Sequence, residues 1–340
     1  MATIAHDIAG TGPVAPADRL AAASGSRLAA GLAFAVVSAT TFGMSGALAT
    51  GLLGTGWSAG AVVLVRVGIA ALVVAPFGAL ALRDRWHLLR RNAGLITMYG
   101  VLAVAGSQFC YFSAVARMPV GPALLIEYTA PATVVVWLWL RHGQRPGPVT
   151  LIGAALAAVG LVLVLDVLSG AHLNTAGVLW ALGAMIGAAS YFVISADTSN
   201  GLPPLALAAS GLVVGAAVLG LLGLVGLLSM DTSTASTSYS GHVFAWWVPL
   251  VVLGLVTAAV SYTTGIAAGR RLGSRLASFV ALLEVVAGVG FAWLLLNQLP
   301  RSVQLLGGLL ILAGVVGVKL GERDAVAGSS AATTARATSR

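Results

Sequence analysis

Apolar residues run in long stretches from Leu28 to Lys319, broken only by short clusters of charged, polar, glycine and proline residues. Cutting at those clusters gives ten stretches: 28–52, 59–82, 93–115, 120–140, 149–167, 176–195, 204–229, 244–268, 276–296 and 303–320. Each is about 18 to 25 residues long, enough at about 1.5 Å per residue to carry a helix across about 30 Å of hydrocarbon. The pattern predicts an all-α membrane protein with ten transmembrane helices. The one long polar interval, 230–242, is rich in Ser and Thr and reads as an ordinary solvated loop. Residues 1–27 and 321–340, rich in Ala, Ser, Thr and Gly, read as disordered cytoplasmic tails.

The breaks also orient the chain, because short loops carrying Lys and Arg stay on the cytoplasmic side. With both termini inside, Arg83, Arg85, Arg90, Arg91, Arg141, Arg145, Arg270, Arg271 and Arg275 are cytoplasmic; only Arg117 and Arg301 fall outside, and Arg66 lies within a helix. An odd number of spans would flip every later loop and destroy this bias. The expected setting is a bacterial-type inner membrane.

The second half of the chain repeats the first. "VTLIGAALAAVG" from Val149 matches "VQLLGGLLILAG" from Val303, pairing Gly153 and Gly160 with Gly307 and Gly314. "ALLIEYTAP" around Glu127 matches "VALLEVVAG" around Glu284. Five helices per half is an odd number, so the halves, 28–168 and 175–320, must cross the membrane in opposite senses. This is an inverted repeat, whose substrate site normally lies near the midplane between the halves.

Composition agrees with lipid as the solvent: hydrophobic residues make up 59% and charged ones 8%, with a mean hydropathy of +0.98. The net charge of +8 arises in inter-helix gaps rather than along a basic-aromatic face, which argues against nucleic acid. The single cysteine, Cys110, cannot form an intrachain disulfide and reads as a small apolar residue. Residues 1–27 hold no short apolar core ending in a cleavage site, so no removable signal peptide is expected. His6, His87, His142, His172 and His242 are scattered without metal-ligand spacing, and no phosphate-cradling glycine loop occurs, so neither a metal, a cofactor nor ATP is expected.

Chemistry is then confined to the ionisable residues inside helices: Arg66, Glu127 and Glu284. Each costs about 2.5 kcal/mol or more if it faces lipid unpaired, so each faces an aqueous cavity or a partner. Arg66 and Glu127 fall about 10 Å below the outer boundary, and Glu284 about 12 Å deep from the opposite side. The set suits an amino-acid-like cargo, with Arg66 attracting a carboxylate and a glutamate attracting an ammonium group or carrying a proton. The structural alternative is an Arg66–Glu127 ion pair with Glu284 capped by hydroxyls. Tyr111, Tyr128, Tyr191, Tyr262, Trp180 and Gln108 carry polar tips that a cavity would satisfy, although tyrosines also anchor helices at the interface. Pro131, four residues after Glu127, would free a backbone carbonyl there and bend the helix.

With these features the chain resembles the drug/metabolite transporter superfamily, specifically its EamA-like ten-helix members with two five-helix repeats, over residues 28–320. "ARMPVGPALLIEYTAP" from Ala116 and "GRRLGSRLASFVALLEVVAG" from Gly269 are similar to the threonine/homoserine exporter subgroup. That resemblance implies export of an amino acid or related metabolite, driven by protons or a counter-substrate, with Glu127 and Glu284 at the positions of the subgroup's helix glutamates. Two departures stand out: Val285 replaces a proline after the second glutamate, and His142 to Gln144 and Asn297 to Gln298 replace an acidic residue after each repeat's fourth helix. Drug or toxic-compound efflux by the same fold is the alternative. A membrane-embedded enzyme would need a clustered acid-base or metal set, and a sensor or scaffold would not need central charges.

Overall fold

The computed structural model describes residues 16–130, 133, 140, 147–164, 174–196, 199–265, 267–268, 271 and 283–317. It is almost entirely helical: α1 (Pro16–Leu53), α2 (Ala59–Leu82), α3 (His87–Arg91), α4 (Ala93–Val115), α5 (Val120–Glu127), α6 (Pro148–Val164), α7 (Thr175–Ala196), α8 (Pro204–Leu224), α9 (Trp247–Gly265), α10 (Leu283–Leu296) and α11 (Ser302–Gly317). Among the described residues five helices are long and apolar enough to cross a membrane: Ala29–Leu53, α2, α4, α8 and α9. Apolar helices α6, α10 and α11 are shorter, as is the apolar part of α7, and much of the expected fourth and ninth spans lies outside the described residues.

Helix ends follow from local chemistry. Ser58 caps α2 by accepting the Ala61 N–H at 3.3 Å, and Asn174 caps α7 by accepting the Gly177 N–H at 3.0 Å. Pro203 precedes α8, which opens on Pro204. Gln298, where the resemblance expects an acidic residue, accepts the Val120 N–H at 3.2 Å and so caps α5 from a distant loop. His142 to Gln144 lie outside the described residues.

Two expectations are corrected. Residues 16–27, read as tail, continue α1, because their Ala-rich run has high helix propensity. Residues 1–15 and 318–340 lie outside the described residues. The polar interval is a docked hairpin instead of an ordinary solvated loop: β1 (Thr237–Tyr239) pairs antiparallel with β2 (His242–Phe244) around Ser240 and Gly241, both at positive φ. Such a turn matches strand twist, and it lets Tyr239 and Thr237 turn inward, where they are buried.

Helices of the first half pack chiefly on helices of the second, and the pairings are reciprocal. α1 meets α10 while α7 meets α5; α9 meets α1 while α4 meets α7; α9 meets α2 while α4 meets α8. α6 and α11 cross antiparallel through glycines: a Cβ on Gly160 would sit 2.5 Å from Gly307 O, and one on Gly314 2.5 Å from Gly153 O. Each glycine therefore touches the repeat equivalent of its partner's partner. Small residues allow this approach in lipid, where no hydrophobic drive joins helices. Large apolar side chains such as Leu72, Leu80, Ile152, Leu221 and Leu309 point outward instead, as a lipid-facing surface requires.

Candidate functional site

Arg66, about a third of the way along α2, is almost wholly buried, at 1% exposure. Its Nη1 donates to Gln108 Oε1 of α4 and its Nη2 to Thr257 O of α9 at 3.1 Å. The guanidinium carbon lies 4.9 Å from the Phe42 ring centre and 5.3 Å from that of Phe112, so the cation is clamped between aromatic faces. The Thr257 carbonyl accepts here from within a π-helical stretch of α9, Leu255–Val260, where the α-helical hydrogen-bond ladder is interrupted. α4 contains a matching stretch, Tyr99–Gly106. A serine follows each, and the spacing that relates Gly153 to Gly307 also relates Ser107 to Ser261. Their contacts match too: Ser107 Oγ donates to Ala184 O of α7 at 3.4 Å, and Ser261 Oγ to Ser38 O of α1 at 3.1 Å.

The glutamates close the site from two further helices. Glu127 ends α5, where regular winding stops at Tyr128, four residues before Pro131. Proline lacks the N–H that would continue the ladder; Pro131 itself lies outside the described residues. Ser107 Oγ donates to Glu127 Oε1 at 3.4 Å. Glu284, at the start of the described part of α10, accepts a hydrogen bond from the Tyr128 hydroxyl. Both carboxylates act electrostatically on Arg66, Tyr111 and Tyr262, and on each other. Both are half-buried, in contrast to Arg66.

The structure thus brings together Arg66, Gln108, Tyr111, Glu127, Tyr128, Tyr262 and Glu284. Tyr191 joins from α7, its ring tilted against Tyr99 with centres 6.0 Å apart, and senses the charge of Glu284. Trp180 does not join the charged cluster; it packs edge-on against Phe109 at 5.4 Å. The structural alternative, an Arg66–Glu127 ion pair, gives way to hydrogen bonds from Arg66 to neutral oxygens. Two donors, Arg66 Nε and the Tyr111 hydroxyl, are buried with no partner among the described residues. Sequence reading missed Phe42, Phe112, Ser107, Tyr99 and the Thr257 carbonyl. Only Ser107, a polar residue beside Gln108, carried a signal; nothing local marks an aromatic clamp or a π-helical carbonyl.

Two apolar surface grooves lie elsewhere. One of about 610 Å³ runs between α2 and α8 past Leu72 and Val213, and one of about 530 Å³ runs along α2 and α9 from Val73 to Arg271. Their walls are lipid-facing and carry none of the cluster. Among the described residues no group of three or more His, Cys, Asp or Glu side chains is placed to hold a metal. Cys110 packs its sulfur where a Cβ on Gly183 would come within 2.9 Å. What the cluster offers is recognition: one fixed cation, two carboxylates, and aromatic faces around them.

A solved crystal structure of a protein is similar over 88% of this chain and 98% of its own, with a TM-score of 0.55 at 22% sequence identity, a likeness of fold. The aromatic amino acid exporter YddG of Ancylobacter novellus is 30% identical over 104 residues, which is 31% of this chain. The chain spans about a third of the length of that curated relative, 33%. The model of the EamA-like transporter family matches residues 29–166 and again 175–320. With two matches that cover most of its length, and with apolar helices gathered around buried charges, the chain is a multi-pass membrane protein that belongs to the EamA-like transporter family.

Proposed function

We propose that this protein is a secondary exporter of an amino acid or close analogue, working by alternating access around the Arg66–Glu127–Glu284 cluster. The observation that carries the reading is that three ionisable side chains from α2, α5 and α10 converge, with the carboxylates only half-buried. Arg66 supplies the fixed positive end for a carboxylate. Glu127 and Glu284 supply the negative end for an ammonium group, and a carboxylic acid in a partly dry site is suited to carrying a proton in exchange. The reciprocal packing of helices, the paired π-helical stretches and the glycine crossing support ten spans arranged as two inverted halves, 28–168 and 175–320. Both termini are then cytoplasmic in a bacterial-type inner membrane, and protons or a counter-substrate drive the cycle without ATP.

Four of the chain's six tyrosines, Tyr111, Tyr128, Tyr191 and Tyr262, lie near the charges with Phe42 and Phe112. Such walls favour a cargo with an aromatic or other flat side chain over threonine or homoserine, and the partial likeness to an aromatic amino acid exporter points the same way. Efflux of drugs or toxic compounds is the second reading, favoured by the same aromatic walls.

The test is amino-acid release into the medium by cells expressing wild-type, Glu127→Gln or Glu284→Gln protein at equal membrane levels. Release is expected to fall to background in both variants. Undiminished release by Glu127→Gln would remove that residue from the mechanism. Resistance to lipophilic cations without amino-acid release would favour the drug reading.

A further inference from the structure

Residues 225–246 form a strap across one end of the bundle, tied to three helices. Tyr239, the last residue of β1, is buried to 4% exposure and donates its hydroxyl to Leu48 O of α1 at 2.7 Å. Its ring lies against the bare backbone of Gly51, where any Cβ would collide with it. Beside it, Ser240 donates its N–H to Leu295 O of α10 at 2.9 Å and its hydroxyl to Leu294 O. On the other side Trp57 Nε1 donates to Ser233 O at 2.8 Å, and the Ser58 N–H to Asp231 O at 3.0 Å. The Trp57 ring also stacks on Trp246 at 6.0 Å. The strap therefore clips α1 and the start of α2, from one half, to the end of α10, from the other.

Directly beneath Tyr239 is a packed layer in which Tyr111 and Val120 meet Gly46 of α1. Val120 is completely buried, and the Tyr111 hydroxyl is shut in without a partner. Below that layer lie Phe42 and Phe112 over Arg66. Tyr239, Val120, Phe112 and Arg66 are all buried, so packing is dense from the strap to the cation.

We propose that the strap is the gate of this end of the bundle: docked, it holds α1, α2 and α10 together over the cluster, and undocked, it lets this end part so that cargo passes. The proposal rests on the export reading for its purpose, whereas the closure is a property of the strap and is tested without cargo. Two features make docking reversible. The ties to α10 end on Leu294 O and Leu295 O in its last turn, where water replaces the strap once it lifts. Opening also hydrates the Tyr111 hydroxyl, which closure leaves unsatisfied. Gly226 and Gly241, both at positive φ, stand at the strap's start and at the tip of its hairpin, where the chain turns most sharply.

The experiment follows a buried reporter. Full-length protein carrying Cys110→Ala and Val120→Cys is purified in detergent and reacted with a water-soluble maleimide. Tyr239→Phe removes the bond to Leu48 but keeps the ring, and Gly51→Val fills the notch. Labelling at Val120→Cys is expected to rise about fivefold with Tyr239→Phe and about tenfold or more with Gly51→Val. A second reporter, Ile311→Cys, buried beside the α6–α11 crossing, is expected to label at an unchanged rate. Equal labelling at Val120→Cys with and without the strap changes overturns the proposal. So does equal acceleration at Ile311→Cys, which marks general loosening. Failure of the export reading is seen separately, as undiminished release by the glutamate variants while the labelling result stands.

Discussion

Gly160→Ala is the sharpest perturbation of the packing between α6 and α11. A methyl at Gly160 would sit 2.5 Å from Gly307 O and 2.8 Å from Ile311 N, whereas non-bonded heavy atoms are best placed about 3.5 to 4.0 Å apart. The helices must part by about 1 Å, which forfeits about a quarter to a half of the dispersion attraction at the crossing. Overpacking of this kind costs about 1–3 kcal/mol, and the better helix propensity of alanine returns about 1 kcal/mol. The expected net loss is up to about 2 kcal/mol, which places Gly160→Ala about 1–3 kcal/mol below an alanine substitution in open space. Gly307→Ala presses on the same point from the other side, 2.6 Å from Gly160 O. Once one methyl has parted the helices, the second finds room already made, so the double variant should lose about 1 kcal/mol less than the sum. Gly68→Ala is the control, since nothing lies within 4 Å of its added carbon; it should be neutral or stabilising by up to about 1 kcal/mol. Unfolding of the purified protein in mixed micelles titrated with SDS reads all four. Stability of Gly160→Ala equal to that of Gly68→Ala, or strict additivity in the pair, would refute the close glycine crossing.

The remaining expectations concern the charged cluster. Gln108→Leu leaves a buried Arg66 donor without its acceptor and should cost about 2–3 kcal/mol in the same unfolding assay. Thr257→Ala should cost under about 1 kcal/mol, because Arg66 uses the backbone carbonyl and the Thr257 hydroxyl bonds only within its own helix, to Leu253 O. Equal losses would place the Arg66 contact elsewhere. Tyr128→Phe removes the hydroxyl that donates to Glu284 and should slow export about tenfold with little change in unfolding midpoint; unchanged export would detach Tyr128 from the transport step.

The helical nature of the chain and the candidate charges were legible because lipid is a demanding solvent. Unbroken apolar stretches have few alternatives to helices there, and a charge inside one must have a reason. The start and end of α2 and α4 match the polarity breaks for that reason. The hairpin was not legible: its Ser/Thr-rich composition signals solvation, while Tyr239 docks only because Gly51 of a distant helix leaves a notch for its ring. Ser240 and Gly241 held the one local hint, a turn whose two residues tolerate positive φ.

Sequence alone determined that Arg66, Glu127 and Glu284 lie deep in apolar helices, and that Gly153, Gly160, Gly307 and Gly314 recur at matched positions. Tertiary structure decided which partners they find. Arg66 hydrogen-bonds an amide and a backbone carbonyl rather than Glu127, since α9 breaks its helical ladder at that height and presents Thr257 O to it. Such a partner comes from helices far apart in the chain, and the Thr257 carbonyl belongs to the backbone, which has no letter in the sequence.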